Sequence, residues 1–139
     1  MIGTKEDAYL AAYTLMKESP AHQGMGRKDF DRLVKTPIML GQYVAGFDPR
    51  GVPYLFATYA FPEPHHIERY YRKLDFPKAG FRGQGDIPYL IDFICMTGKR
   101  DIIHSFRYIK SMFNKMGYSE ARWLRVGSNK KSWHSWQGD

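Results

Sequence analysis

The chain has 139 residues, 43% of them hydrophobic and 25% charged, which fits one globular domain with a buried core. Lys and Arg outnumber Asp and Glu by 21 to 14, for a net charge of +7. Such a field suits an acidic partner, yet no run of five or six like charges marks a nucleic-acid tail. No apolar run approaches the ~20 residues of a membrane helix. The start, Met1 to Asp7, lacks the basic and apolar regions of a signal peptide. Cys95 is the sole cysteine, so an internal disulfide is excluded and a reducing, cytoplasmic setting is expected. Its place in an apolar run favours a buried, inert thiol over a nucleophile.

In chain order, residues 4–17 are predicted as a helix, capped by Thr4 with Asp7 three residues on. Ala8, Ala11, Ala12 and Leu15 share its apolar face. Ser19-Pro20 ends it. A short helix over Lys28–Val34 should stop near Thr36-Pro37. Residues 38–47 and 52–61 are rich in β-formers and flank the turn Asp48-Pro49-Arg50-Gly51, which predicts a hairpin. Pro62 and Pro64 open a helix with Ile67, Tyr70, Tyr71 and Leu74 on one stripe. Three glycines and two prolines in Asp75–Pro88 predict a long surface loop. The apolar run Tyr89 to Met96 predicts a central strand covered on both faces. Residues 101–116 form the clearest helix, with Ile102, Phe106, Ile109, Phe113 and Met116 inward and Gly117 as its cap. A strand over 121–126 and a basic, Trp-bearing tail complete an α-α-β-β-α-β-α-β order. That order predicts a single α/β (α+β layered) domain over residues 1–139, a mixed sheet flanked by helices.

Two side chains call for more than a structural role. Asp92 is the one charge in the apolar strand, and alternation places it beside Leu90, Ile94 and Met96. An ionised carboxylate there needs a partner, either an arginine or a histidine whose basic tautomer it would hold. His22 follows the first helix in a turn stiffened by Pro20; its plain reading is a surface histidine. His65 and His66 read as solvent-facing, His104 lies off its helix's apolar stripe, and His134 falls in the tail. No histidine pair has zinc-ligand spacing, so no metal is expected.

The chain resembles the RTX toxin-activating lysine acyltransferases. Their Ser-Pro-X-His turn reads here Ser19-Pro20-Ala21-His22. Their Gly-Asp-X-X-X-X-Ile-Asp strand reads Gly85-Asp86-Ile87-Pro88-Tyr89-Leu90-Ile91-Asp92. Gly98, Phe106-Arg107-Tyr108-Ile109-Lys110 and Arg122-Trp123-Leu124-Arg125-Val126 agree as well, so the resemblance spans about residues 10–127. It departs in length, the chain being shorter than typical members, and in Ala21, where a bulkier apolar residue is common.

The resemblance implies a GNAT-like fold, that of the acyl-CoA N-acyltransferases. It implies transfer of a fatty acyl group from acyl carrier protein to a lysine of a protein acceptor such as a protoxin. His22 and Asp92 would be the catalytic pair. No bound cofactor is expected; acyl carrier protein is the donor partner and acyl-CoA an alternative donor. Lys99, Arg100, Arg107, Lys110 and Arg125 are the candidate donor-binding residues, forming a basic surface for an acidic carrier protein beside the Asp92 strand. Arg82-Gly83-Gln84-Gly85 imitates a pyrophosphate loop, but it precedes the strand and opens no helix on phosphate. An acetyl-CoA-dependent acetyltransferase, a non-enzymatic phage or virion component that kept the fold, and a nucleic-acid-binding module remain as alternatives. Phage genomes carry similar genes, which would place the chain in a host cytoplasm or a virion. A homodimer stays open; a membrane partner is not expected.

Overall fold

Thr4 begins the first helix as predicted: its side chain accepts the Asp7 N–H while the Asp7 carboxylate accepts the Thr4 N–H. This helix, α1 (Lys5–Glu18), buries Ala8, Ala11, Ala12, Leu15 and Met16. Its alanines bring the backbone close to the sheet, where Val34, Ile38, Ala45, Phe56 and Ile94 complete one core cluster. The computed structural model describes residues 4–19, 26–73, 76–126 and 131–137.

The second helical region runs further than the sequence suggests. It comprises α2 (Arg27–Phe30), a π-helical turn (Asp31–Lys35) and α3 (Thr36–Met39). Pro37 should clash with the carbonyl four residues back, which would end an ordinary helix. Here the turn before it is widened, the Thr36 N–H donating to Asp31 O, and the helix passes through the proline. The expected strand over 38–47 is consequently shortened to β1 (Tyr43–Phe47).

β1 and β2 (Pro53–Ala60) form the predicted hairpin. At its turn, Asp48 Oδ1 accepts the Arg50 and Val52 N–H groups. The Val52 N–H, with Arg50 assisting, holds the Asp48 carboxyl below its usual pKa. β3 (Tyr89–Cys95) lies at the centre, antiparallel to β2 and parallel to β4 (Glu120–Val126). α5 (Lys99–Lys115) makes the crossover between the parallel strands. The expected tail is instead a strand, β5 (Lys131–Gln137), antiparallel to β4 in unbroken register. The sheet order is β1-β2-β3-β4-β5. The domain is thus mixed α/β, a mixed five-stranded sheet flanked by helices, compatible with the GNAT-like fold.

On one face, Ser105, Ile109 and Phe113 of α5 are buried near Leu55, Ala57, Tyr59 and Leu90. Tyr59 and Phe113 meet edge to face at 5.2 Å. Met116, expected inward, is 46% exposed. The other face carries α1, the second helical region and α4 (Pro64–Lys73).

The Asp75–Pro88 segment is not a surface loop throughout. It contains a 3-10 helix (Lys78–Arg82) and buries Phe76 and Phe81 against Ala60. Gly83 and Gly85 let the chain lie on Phe61 and Pro62: the Gly85 N–H donates to Phe61 O, and a Cβ on Gly83 would meet that oxygen at 2.5 Å. The glycines of the phosphate-loop look-alike therefore serve backbone packing.

Candidate functional site

Asp92 is positioned by a register shift. Thr58 pairs with Asp92 but Tyr59 pairs with Leu90, so Ile91 is the extra residue of a β-bulge. A bulge puts two successive residues on one side. Leu90 therefore joins the α5 face, and Ile91 packs with Tyr70, Phe76 and Phe81 on the opposite face. Asp92 shares its face with Thr58 and Ile94, contrary to the simple alternation that set Leu90 beside it. Its N–H donates to Thr58 Oγ1 at 3.2 Å, and its Oδ2 is buried.

Tyr70 of α4 completes the surroundings of this carboxylate. Its hydroxyl donates to Ile91 O at 3.5 Å, and its ring meets Phe76 edge to face. Burial, and after it the charge of Asp92, pushes the Tyr70 hydroxyl up to about 12. Tyr70 thus stays a neutral hydroxyl donor beside Asp92 across the ordinary pH range.

β3 and β4 pair only at Tyr89↔Arg122 and Leu90↔Trp123, then part. Beyond that point neither strand hydrogen-bonds the other, and Asp92 stands two residues past the last pair. Two parallel strands that splay leave inward-facing amides and carbonyls available to an extended ligand with amides of its own. Phe106 stacks on Phe93 and contacts Trp123, bridging the splay on the α5 face.

His22 lies outside the described residues, so its approach to Asp92 rests on the sequence. α1 packs on the Asp92 face and ends at a buried Ser19. Three residues of chain, at most ~11 Å when extended, separate Ser19 from His22.

The structure does not gather the basic candidates around Asp92. Lys99, Arg100, Arg107 and Lys110 are exposed on the outer surface of α5, across the sheet from it. Only Lys99 and Arg100, in the first turn of α5, stand near the end of β3. Lys110 reaches the Trp136 ring of β5 at 5.9 Å. Arg125 lies on β4; its side chain is outside the described set. The physical reason is the sheet itself: α5 covers the Leu90–Phe93–Cys95 face and Asp92 occupies the other.

Several residues were missed from sequence. A cavity of about 390 Å³ beside α4 is lined by Ile67, Tyr89, Glu120, Arg122, Trp133 and Gln137, among others. Arg122 donates to Glu120 at 2.7 Å and to the Tyr89 hydroxyl at 3.3 Å. Trp133 stacks on Tyr71 and touches Tyr70, linking this trough to the Asp92 surroundings. Leu74, expected on the α4 stripe, is outside the described residues.

His66 corrects another expectation. Rather than facing solvent, it is buried, and its Nδ1 accepts the Glu63 N–H at 3.2 Å, in the place a Gln or Glu takes in a capping box. Burial, then the neighbouring His65, hold its pKa below the usual 6.5, against the pull of Glu63. A depressed histidine stabilises the fold in its neutral form. That contribution is fully present above pH 6.5 and is lost as pH falls through the lower folded value. Melting across this range should show a steeper acid loss for the parent protein than for His66→Gln, which keeps an acceptor and does not titrate. Parallel curves would refute the capping role.

Cys95 is half-buried rather than buried, with Sγ 4.0 Å from Ser105 Oγ. Among the described residues no three His, Cys, Asp or Glu side chains are grouped to hold a metal ion, and no helix is long and apolar enough to cross a membrane. In comparisons with known proteins, no family model and no curated sequence matches the chain.

Proposed function

We propose that the protein transfers an acyl group from a carrier-bound thioester to a lysine amine, with His22 as the base and Asp92 as its orienting carboxylate. The observation that carries this reading is the placement of Asp92 at the parting of β3 and β4. An acyl-phosphopantetheine arm is extended and bears amides, which suits the unpaired strand edges there. In this reading the thioester carbonyl would lie on the Asp92 side of β3.

The steps balance simply. His22 takes a proton from the lysine ammonium, and the free amine attacks the thioester carbonyl carbon. The imidazolium releases this first proton to solvent, and the recovered imidazole takes the second proton from the attacking nitrogen. The tetrahedral intermediate then collapses with loss of the C–S bond, and the thiolate takes that second proton from the imidazolium. Asp92 keeps the imidazole in its basic tautomer and stabilises the imidazolium. Tyr70 holds β3 at the bulge, so the carboxylate is fixed before substrate arrives. The exposed basic surface of α5, with Lys99 and Arg100 nearest the end of β3, gives an acidic carrier protein its footing.

The test supplies labelled acyl-acyl carrier protein, or acetyl-CoA, with a lysine-bearing acceptor preparation. Expected is hydroxylamine-resistant label on the acceptor from the carrier protein and little from acetyl-CoA. Label from acetyl-CoA alone would replace this reading with acetyl transfer, and no label from either donor would remove the enzymatic one.

A further inference from the structure

β5 is an edge strand of an unusual kind. It pairs with β4 over seven residues, Lys131 to Gln137, without a bulge, and contains no proline and no acid. Among the described residues nothing pairs with its outer side, since β5 ends the sheet order. β1, at the other end, is five residues long and broken by a register shift at Gly46/Phe47. β5 carries one charge, Lys131 at its first position, and none over the six residues that follow. Long, regular edges of this kind are what folded proteins ordinarily avoid, because their free N–H and C=O groups recruit another strand.

The sequence of β5 says which strand fits. In an antiparallel pair of two copies centred on His134, residue 133 of each copy stands directly opposite residue 135 of the other. Trp133 then faces Ser135, large against small, and the same contact recurs on the other side of the axis. Trp133 and Ser135 lie on the trough side of the sheet, with Trp133 38% exposed and Ser135 exposed. His134, stacked on Trp123 at 5.8 Å, occupies the axis. Directly opposed cross-strand side chains are close neighbours, so this alternation makes the edge complementary to itself.

We propose that β5 is a self-association edge through which two copies form a continuous ten-stranded sheet about a two-fold axis at His134. Such a contact is isologous and closes at two copies, so it satisfies the exposed edge without polymerising. This inference is independent of the acyl-transfer reading.

Two measurements test it. Sedimentation and light scattering over a concentration series should give twice the 16.2 kDa of one chain for the parent protein. Ser135→Lys, at an exposed position, should bring a like charge of each copy to diagonal places across the axis and weaken association by roughly tenfold or more, with an unchanged melting curve for the dilute monomer. Oxidation should then cross-link His134→Cys, in a Cys95→Ser background, faster than Gln137→Cys, which the register places about 20 Å from its own copy. A parent protein that stays monomeric at every concentration overturns the proposal. So does undiminished association of Ser135→Lys, or cross-linking of Gln137→Cys at the same rate as His134→Cys.

Discussion

Asp92→Asn should lose nearly all acyl transfer while the protein remains folded. The amide matches the carboxylate in size, and the Asp92 N–H bond to Thr58 is made by the backbone, so neither packing nor register changes. What disappears is the negative charge. An asparagine cannot stabilise the imidazolium that forms when His22 takes the lysine proton, and it can hold the ring in the wrong tautomer. In a comparable His–Asp arrangement this costs about ten-thousandfold in turnover. The Tyr70 hydroxyl should stay well above the usual tyrosine range, because burial is the first cause of its rise and Asp92 only the second. The check is the single-turnover rate of amide formation beside a thermal melt. A rate within tenfold of the parent would show that the charge is not used, and a collapsed melt would make Asp92 a structural residue.

Phe81→Ala should be the most damaging truncation near the site. Phe81 is fully buried, packs on Phe76 at 4.9 Å, and through Phe76 supports Tyr70. Its carbonyl also accepts from Gln42 Nε2, which bridges to Tyr59 O, tying the 3-10 segment to the start of β1 and to β2. Removing the ring leaves a cavity in a tightly packed cluster, at a cost of about 3–5 kcal/mol. For a chain of this size that lowers the melting temperature by roughly 10–20 °C. Urea denaturation and a thermal scan measure it directly. A shift below about 4 °C would mean the segment is the surface loop its glycines and prolines suggest.

That contrast shows where the sequence was readable. α5 was legible because Ile102, Phe106, Ile109 and Phe113 repeat at helical spacing. Asp92 was legible because a lone charge in an apolar run must be accommodated. The face it occupies was not, since nothing in Tyr89-Leu90-Ile91 signals that Ile91 is the extra residue of a bulge. The basic candidates were misplaced for a separate reason: they lie on the outer surface of α5, which covers the opposite face of the sheet. β5 was hidden because Ser, His and Gln between two tryptophans read as a polar tail, and only pairing with β4 makes it a strand. His66 was hidden because its burial comes from capping α4, a role that residue type does not announce. Tyr70 looked like one more core aromatic until the strand beneath it placed Asp92 alongside.

The central claim is that His22 and Asp92 act as one unit on the lysine proton, and a double-mutant cycle measures it. The acyl-transfer rate is compared in the parent, His22→Ala, Asp92→Asn and the double variant, all shown to be folded. Residues that serve a single step are strongly non-additive, because once the base is gone its orienting group has nothing to orient. The double variant should therefore be no slower than His22→Ala alone. Losses that multiply, with the double variant slower by the product of the two single effects, would mean that the two side chains act separately and that the proposed pair does not exist.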